Sequence, residues 1–234
     1  MSRALEGFAT PHYRAHNKAR LDHLASLGLD LERKRVLELG CGPGDHTGFY
    51  LERGCQVVAL DARPACIRAL RDRWEARYPK QLAADVADLT EPLPLLPALF
   101  DVVHCYGLLY HLPDPAAALR EFANAGDLLL LETCVTPGNA RAIYPVVESA
   151  SDATQSATGM GCRPTRRWIL ETLQALFPYV GVPHTQPRHA EFPLNWSTIA
   201  PGPALTRAVF AAGWVPFDPK VFSSTLPMLQ EPAP

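Results

Sequence analysis

The stretch Arg35-Val36-Leu37-Glu38-Leu39-Gly40-Cys41-Gly42-Pro43-Gly44 decides the fold of this chain. A short apolar strand runs into three glycines at alternate positions, and a helix is predicted to follow. Glycine allows a positive φ at such a turn and lets a ligand approach bare backbone. The Gly-x-Gly-x-Gly spacing differs from the Gly-x-Gly-x-x-Gly of a dinucleotide site. The turn therefore indicates a ligand site, but not that of a dehydrogenase.

Apolar strands alternate with helices through the first 135 residues. The predicted strands are 35–39, 56–60, 80–84, 100–105 and 128–132, and the predicted helices are 11–27, 45–53, 64–78 and 114–125. Continuous apolar strands are typical of a parallel sheet that helices cover on both faces. Ligands of such sheets bind at the carboxyl ends of the strands, where the glycine turn also lies.

The rest of the chain differs in composition, since 14 of the 23 prolines lie at or after Pro137. We expect an irregular insertion at 137–163, a helix at 164–177 and strands at 179–182 and 206–211. Long loops in a compact domain are more often functional than accidental. We therefore expect one domain over 1–234, with a cofactor-binding half (1–135) and a substrate-lid half (136–234).

Composition excludes several classes of protein. The chain is 47% hydrophobic and 20% charged, with a formal net charge of −2. Its apolar runs are too short to cross a bilayer, and its first residues lack the apolar core of a signal peptide. Six scattered cysteines without a Cys-x-x-Cys pair argue against a zinc ribbon or an iron–sulfur cluster. We expect a cytoplasmic protein with reduced thiols, a small-molecule substrate, and neither membrane nor nucleic-acid partners.

With the glycine turn and acidic residues near several strand ends, the chain resembles class I methyltransferases that depend on S-adenosyl-L-methionine (SAM). The resemblance covers about residues 14–135 and extends to enzymes of bacterial glycan and natural-product pathways. It implies an α/β, Rossmann-like doubly wound fold: a seven-stranded sheet with an antiparallel last strand, plus C-terminal lid insertions. S-adenosylhomocysteine (SAH) would be the product of the cofactor.

The resemblance also implies cofactor-binding residues at the strand ends. The glycine turn would close around the methionine part of SAM, and Asp61 would hold the ribose hydroxyls, because a carboxylate can accept two such hydrogen bonds. Asp85 would accept the adenine amino proton, although Asp88 is a rival for that role. The full implied set is Glu38, Gly40, Cys41, Gly42, Gly44, Asp61, Ala62, Asp85, Val86, Cys105 and Tyr106, with Asn17 and Arg20 reaching the SAM carboxylate.

The segment after the fourth predicted strand, residues 107–115, lies where the acceptor would meet the methyl group. His111 is the first candidate for a base, since an unperturbed imidazole titrates near neutrality. Tyr110 could stack on adenine, orient the substrate or pack in the core. Four further residues are expected to contact the substrate: His46, Gln155, Arg163 and Arg166. The sequence shows no cluster with metal-ligand spacing, so no metal is expected.

The sequence thus predicts a SAM-dependent methyltransferase that methylates a hydroxyl, or less readily an amine, of a sugar, glycan precursor or natural product. Two alternatives stay open. A tRNA-modifying methyltransferase would use residues 110–111 and the basic cluster around Arg163–Arg167, and a non-catalytic module would only bind SAM. The sequence does not decide between a monomer and a homodimer.

Overall fold

Strands and helices alternate in the computed structural model, which describes residues 3–94, 99–199 and 205–234. The first half contains strands β1 (Arg35–Leu39), β2 (Gln56–Asp61), β3 (Leu82–Val86), β4 (Phe100–Tyr106) and β5 (Gly126–Cys134). Its helices are α1 (Pro11–Ser26), α2 (Thr47–Leu51), α3 (Pro64–Trp74) and α4 (Pro115–Ala125), with 3-10 turns at Arg3–Ala9 and Leu109–His111. Every strand and helix expected in this half is therefore present, with bounds that differ by a few residues.

The second half adds one long helix and several short strands. These elements are β6 (Ile143–Val147), β7 (Met160–Pro164), α5 (Arg166–Leu176), β8 (Tyr179–Pro183), β9 (Thr185–Gln186), β10 (Arg207–Gly213), β11 (Phe222–Ser223) and β12 (Glu231–Pro232). The insertion expected to be irregular at 137–163 instead contains an antiparallel hairpin, because β6 pairs with β7. Its strands are short and interrupted by proline and glycine, which hides them in the sequence.

The central sheet has the strand order β3-β2-β1-β4-β5-β10-β8-β11 in the described residues. Strands β1 to β5 are parallel, and β10 runs antiparallel to both of its neighbours, β5 and β8. This confirms the predicted doubly wound sheet of seven strands with an antiparallel last strand, to which the two-residue β11 adds an edge. The strand order reverses between β1 and β4, which is where such sheets bind ligands.

Two apolar clusters cover the two faces of the sheet. On one face α4 and α5 bury Leu119, Phe122 and Leu173, and on the other α2 and α3 bury Tyr50 and Leu70. Both α4 and α5 begin at capping side chains, because Asp114 accepts from the Ala117 amide and Thr165 from the Trp168 amide. The helices are thus anchored by their first turns and by one buried face.

Helix α2 is shorter than the expected 45–53 because Asp45 does not cap it. The Asp45 carboxylate instead accepts hydrogen bonds from Arg73 and from Nδ2 of Asn17. The helix begins at Thr47, and its capping position, His46, makes no side-chain capping bond. A good capping residue type is therefore diverted here by a long-range partner.

Truncating the α4 core should destabilise the protein far more than changing its exposed face. Leu119 is fully buried, so Leu119→Ala should lower the free energy of unfolding by about 2–5 kcal/mol. The adjacent exposed Arg120→Ala is the matched control and should change it by less than about 0.5 kcal/mol. Urea unfolding of both variants measures the difference, and equal effects would contradict the packing described above.

Candidate active site

The glycine turn after β1 folds back on the end of β2. The amides of Gly40 and Cys41 both donate to the Leu60 carbonyl, at 2.8 and 3.1 Å. Gly40, Gly42 and Gly44 all have positive φ. At Gly44, with φ +83°, a Cβ would also stand 2.9 Å from the Leu70 side chain. The turn therefore requires glycine at this position, for both backbone and packing reasons.

Asp61 lies at the end of β2 and faces the glycine turn. One carboxylate oxygen accepts from the Gly42 amide at 2.9 Å, and the other accepts from the Arg63 amide at 2.8 Å. Burial raises the pKa of the carboxyl group, while these two amides offset part of that effect. Each oxygen keeps a lone pair for a further hydrogen bond, as two neighbouring hydroxyls would require.

A cleft of about 790 Å³, counting space open to solvent, crosses the carboxyl ends of the central strands. Gly40, Gly42, Asp61 and Ala62 form one wall of this cleft, together with Arg63. The opposite wall and the floor consist of Asp88, Leu89, Tyr106, Gly107, Tyr110, His111 and Gln155. Its size is typical of a cofactor or small-molecule site.

A smaller pocket of about 310 Å³ continues from this cleft around the glycine turn. It is lined by four further residues expected to bind the cofactor, Asn17, Arg20, Glu38 and Cys41, and by His46, which was expected to contact the substrate. Tyr106 lines both spaces, and its buried hydroxyl has no hydrogen-bond partner among the described residues. A buried unpartnered hydroxyl is costly in the free protein, so it marks a place where a polar ligand atom would fit.

The structure does not bring Asp85 and Val86 to the cleft. Strand β3 runs to Val86, two residues beyond the expected end, and both side chains are exposed. Asp85 forms an ion pair with Arg71 on the outside of the sheet. After β3 the chain first reaches the cleft at Asp88, Leu89 and Thr90.

Of the residues that end β4, Tyr106 lines the two pockets and Cys105 does not. Cys105 is fully buried in the core between the sheet and α4. Gly107 follows with φ +80°, and a Cβ there would stand 3.0 Å from a guanidinium nitrogen of Arg20. The backbone at Gly107 therefore passes close to Arg20 because no side chain intervenes.

Glu38 is buried beneath the glycine turn and accepts a hydrogen bond from Thr47 Oγ1 at 2.7 Å. Burial raises its pKa to about 8, and the Thr47 hydroxyl offsets only part of this shift. The carboxyl group is therefore largely neutral at pH 7 in the free protein. A cation bound in the adjoining pocket would favour its charged form.

A network of buried charges lies behind the cleft. Glu132 is inaccessible to solvent, and its two oxygens accept from Arg20 at 2.8 Å and from Arg207 at 3.0 Å. Burial alone would raise the pKa of Glu132, but the two guanidinium groups hold it below its ordinary value. Arg207 also donates to the Tyr110 hydroxyl at 3.0 Å and to Glu191 at 2.6 Å. Arg207 and Glu132 were not singled out by the sequence.

His111 is held in a defined orientation by the β6–β7 hairpin. Its Nδ1 bonds to Glu148, whose carboxylate also accepts from Arg163 at 3.0 Å and from the Ser156 amide at 2.8 Å. Burial alone would raise the pKa of Glu148, but these donors, led by His111, lower it to about 2. The Glu148 carboxylate can therefore only accept hydrogen bonds. Nδ1 of His111 then carries the proton, and Nε2 of the same ring keeps its lone pair.

Tyr110 and His111 pack together, with ring centroids 3.9 Å apart. The pKa of His111 is lowered by burial, and Glu148 reverses only part of that shift. The imidazole is therefore neutral at pH 7 and lines the cleft. Such a group can accept a proton from a bound ligand.

The segment 150–157 forms a strap over one side of the cleft. Arg63 holds this strap, because its guanidinium donates to the carbonyls of Ala150, Asp152, Gln155 and Ser156. Gln155 lines the cleft, although its side-chain oxygen already accepts from the Ser149 amide at 2.7 Å. The role of Arg63 was not predicted, since its partners lie about 90 positions further along the chain.

Three residues expected to contact substrate lie elsewhere. His46 is buried between His104, at 3.0 Å, and Asn17, at 3.3 Å, and it lines the smaller pocket and not the acceptor end of the cleft. The Arg163 guanidinium donates to Glu148 and to the carbonyls of Tyr110 and Cys162. Arg166 is buried against the Trp196 ring and donates to the Pro227 carbonyl.

The strand order, the glycine turn and the Asp61 carboxylate together define a Rossmann-like domain with a site for an adenosyl cofactor at its switch point. Residues 36–125 match the family model described as a methyltransferase domain. Over residues 36–125 the chain is thus similar to methyltransferase domains, for which SAM is the cofactor.

Curated relatives carry the same domain. The chain is 34% identical over 112 residues to the ubiquinone biosynthesis O-methyltransferase of Alkalilimnicola ehrlichii, which covers 46% of this chain and 43% of that protein. It is 34% identical over 127 residues to the enzyme of the same name from Xanthomonas oryzae pv. oryzae, covering 51% and 50%. The chain thus spans about half of the length of these relatives.

Solved structures share the fold over most of the chain. The N-terminal domain of EvdMO1, solved in the presence of SAH and D-fucose, has a TM-score of 0.65 at 20% identity, covering 88% of this chain and 85% of that one. A SAM-dependent methyltransferase from Mesorhizobium loti has a TM-score of 0.60 at 17% identity, covering 85% and 99%. These similarities extend the fold assignment into the second half.

The residues present fit SAM. Asp61 and Asp88 each present a carboxylate to the large cleft, and Tyr106 offers an unpartnered hydroxyl between the two pockets. Phe8 and Tyr13 add aromatic walls that the sequence did not indicate. SAM itself supplies a methyl group on a sulfonium, which is already activated for transfer.

Three aspartates provide a direct test of the cofactor site. Asp61→Ala should weaken SAM binding by about 10- to 100-fold, because it removes charge-assisted hydrogen bonds. Asp88→Ala should weaken it by a smaller factor, and the exposed Asp85→Ala should leave it unchanged. Isothermal titration with SAM measures all three, and a loss at Asp85 larger than that at Asp88 would contradict the placement described here.

Glu38 should make stability depend on pH. Its folded-state pKa of about 8 lies above the ordinary 4.5, so the folded protein holds a proton that the unfolded chain releases. The stability from this group is complete below about pH 4.5 and is lost as the pH rises towards about 8. Glu38→Gln should lessen this decline, by at most about 1.4 kcal/mol per pH unit.

Urea unfolding of the wild type and of Glu38→Gln at several pH values measures this effect. The difference between the two free energies of unfolding should move in favour of the variant as the pH rises. Parallel profiles would show that the Glu38 carboxyl group is not neutral in the folded protein.

Proposed function

We propose that this protein is a SAM-dependent O-methyltransferase that acts on a hydroxyl group of a small polar acceptor, such as a sugar, a glycan precursor or a natural product. The observation that carries this proposal is the His111–Glu148 pair at the wall of the cleft. A hydroxyl nucleophile benefits from a base that removes its proton, and the free Nε2 of a neutral His111 is such a base.

The chain's own residues position the acceptor and move its proton. Glu148 fixes the tautomer of His111, and Arg163 fixes Glu148 in turn. When the acceptor hydroxyl lies against Nε2, its proton passes to His111, and Glu148 stabilises the imidazolium that forms. Tyr110 is held by Arg207 and limits the room beside His111. The protein thus works mainly by orientation.

Two comparisons support this assignment. The curated relatives are named O-methyltransferases, and the EvdMO1 domain was solved with SAH and D-fucose. The strap 150–157 adds polar groups to the cleft, including Gln155. A polar lining beside aromatic rings suits a polyhydroxy acceptor.

The sheet and the cysteines support two further parts of this proposal. Both halves contribute strands to one sheet, which supports a single domain over 1–234. The six cysteines are free and buried, which fits reduced thiols in a cytoplasmic protein. Among the described residues no helix is both long enough and apolar enough to cross a membrane.

The case for a tRNA-modifying methyltransferase is weaker. Arg163 and Arg166 were expected to present a basic face, but both are engaged in contacts inside the protein. Binding of tRNA that falls steeply with salt would nevertheless favour that reading. The non-catalytic alternative is distinguished by turnover, because a module that only binds SAM releases no SAH with any acceptor.

A panel of sugars and natural-product alcohols, assayed by SAH release, tests the proposal. With a turned-over acceptor, His111→Gln should lower kcat by about 10²- to 10⁴-fold, because the variant keeps a donor to Glu148 but has no base. His184→Ala, at an exposed histidine outside the cleft, is the matched control and should retain activity. Full activity of His111→Gln would contradict the proposal that His111 is the base.

The pH profile gives a second test. The rate should fall on the acid side as His111 becomes protonated, with a midpoint below 6.5 because burial lowers its pKa. Glu148→Gln removes the group that partly restores that pKa, so the midpoint should move to lower pH while kcat falls. An acid limb that stays in place in Glu148→Gln would assign it to another group.

A further inference from the structure

A cluster of potential metal ligands lies beside the cleft, apart from the proposed base. His16 on α1 meets His189 and Glu191, which lie between β9 and β10, and their ligand atoms are all within 4.8 Å of one another. His12, one turn earlier on α1, places its Nε2 3.0 Å from an oxygen of Glu191. Four side chains from two distant parts of the chain therefore converge.

His16 shows that this cluster is not fully satisfied by the protein itself. The residue is only 4% exposed, and its Nε2 has no hydrogen-bond partner among the described residues. That nitrogen lies 3.8 Å from the Glu191 oxygen that accepts from Arg207, too far for a hydrogen bond. The His16 nitrogen is therefore buried without a partner and is free to take a ligand.

We propose that His12, His16, His189 and Glu191 form a binding site for a divalent metal ion of the zinc class. Imidazole nitrogen suits zinc, copper and nickel, whereas magnesium and calcium prefer oxygen ligands. His12 and His16 are four residues apart on one helix, which places both on the same face. Three nitrogens and one oxygen complete a tetrahedral zinc shell.

The spacing of the atoms is compatible with this ion. Ligand atoms about 2.0–2.1 Å from a tetrahedral zinc stand roughly 3.4 Å apart. The ligand atoms of His16, His189 and Glu191 are within 4.8 Å of one another, so small rotations of these side chains bring them to this spacing. His12 lies outside that group of three and is exposed, so its side chain can turn towards the ion. Burial lowers the pKa of both His16 and His189, so both rings are neutral and ready to coordinate at pH 7.

The charges around the cluster also allow a cation. Arg20 and Arg207 both face His16, but each is paired with the buried Glu132. Arg207 donates to one oxygen of Glu191 at 2.6 Å, and the other oxygen points towards His12. The metal takes this second oxygen, so the contact between Arg207 and Glu191 is kept.

Such a metal would join α1 to the segment that carries His189 and Glu191. His16 and Arg207 both line the large cleft, so the ion would fix the wall of the cleft on the α1 side. The site is distinct from the proposed cofactor and base residues. It does not depend on the identity of the methyl acceptor.

Untagged protein, stripped with EDTA and dialysed, should be titrated with Zn²⁺ by calorimetry and by thermal unfolding. We expect one equivalent to bind and the Tm to rise by about 5–10 °C, because the ion binds only the folded state. Co²⁺ should give the visible absorption bands of a tetrahedral site. Mg²⁺ should produce no shift, since the ligands are mainly nitrogen.

Variants decide whether this binding occurs at the proposed site. His16→Ala and His189→Ala should each weaken Zn²⁺ binding by at least about tenfold and remove the Co²⁺ bands. His12→Ala, at an exposed position that cannot compromise the core, should also weaken it. His184→Ala is the matched control and should bind as the wild type does. Zn²⁺ affinity that is the same in His12→Ala and His16→Ala as in the wild type, or no binding at all, overturns the proposal.

Discussion

The carboxylate of Glu132 is the constraint on which the rest of the site depends. It sits in the middle of the sheet on β5, without contact to solvent, and only the two arginines that clamp it make its charge tolerable. One arginine comes from α1 and the other from β10, so the N-terminal helix and the antiparallel strand are fixed to the same point. Loss of the carboxylate would leave the buried Arg20 without a carboxylate partner and Arg207 with Glu191 alone, which costs far more than the ion pairs contribute. The shape of the cleft therefore depends on one buried charge.

Burial sets the chemistry of the site in opposite directions at different residues. Glu38 is buried with only a hydroxyl partner, so its carboxyl group tends to stay neutral. Glu148 is partly buried but has three donors, so it stays charged. His111 is buried against that charge and stays neutral, which leaves a base. Three titratable groups around the two pockets thus hold three different proton affinities, and the partners rather than the residue types decide them.

The sequence predicted what depends on local pattern. The alternation of strands and helices, the glycine turn and the place of Asp61 follow from short patterns, and the sheet confirms the expected architecture. Asp85 was expected at the cleft and lies outside it, because two aspartates stand three residues apart and only the end of β3 in the structure shows that Asp88 is the one that lines the cleft. The partners of His111 and Arg166 could not be predicted, since each contact joins segments separated by tens of residues. The same holds for the histidines gathered from α1 and from residues 189–191.

The strap over the cleft is held through its backbone. Arg63 donates to backbone carbonyls, which neither gain nor lose protons. The acceptors of this contact therefore do not change with acidity, in contrast to the imidazole and the carboxylate that meet in the hairpin contact between His111 and Glu148. Because the partners are backbone groups, the side chains along the strap can also change without removing this contact. The wall that the strap adds to the cleft can thus diversify in sequence while its anchor stays constant.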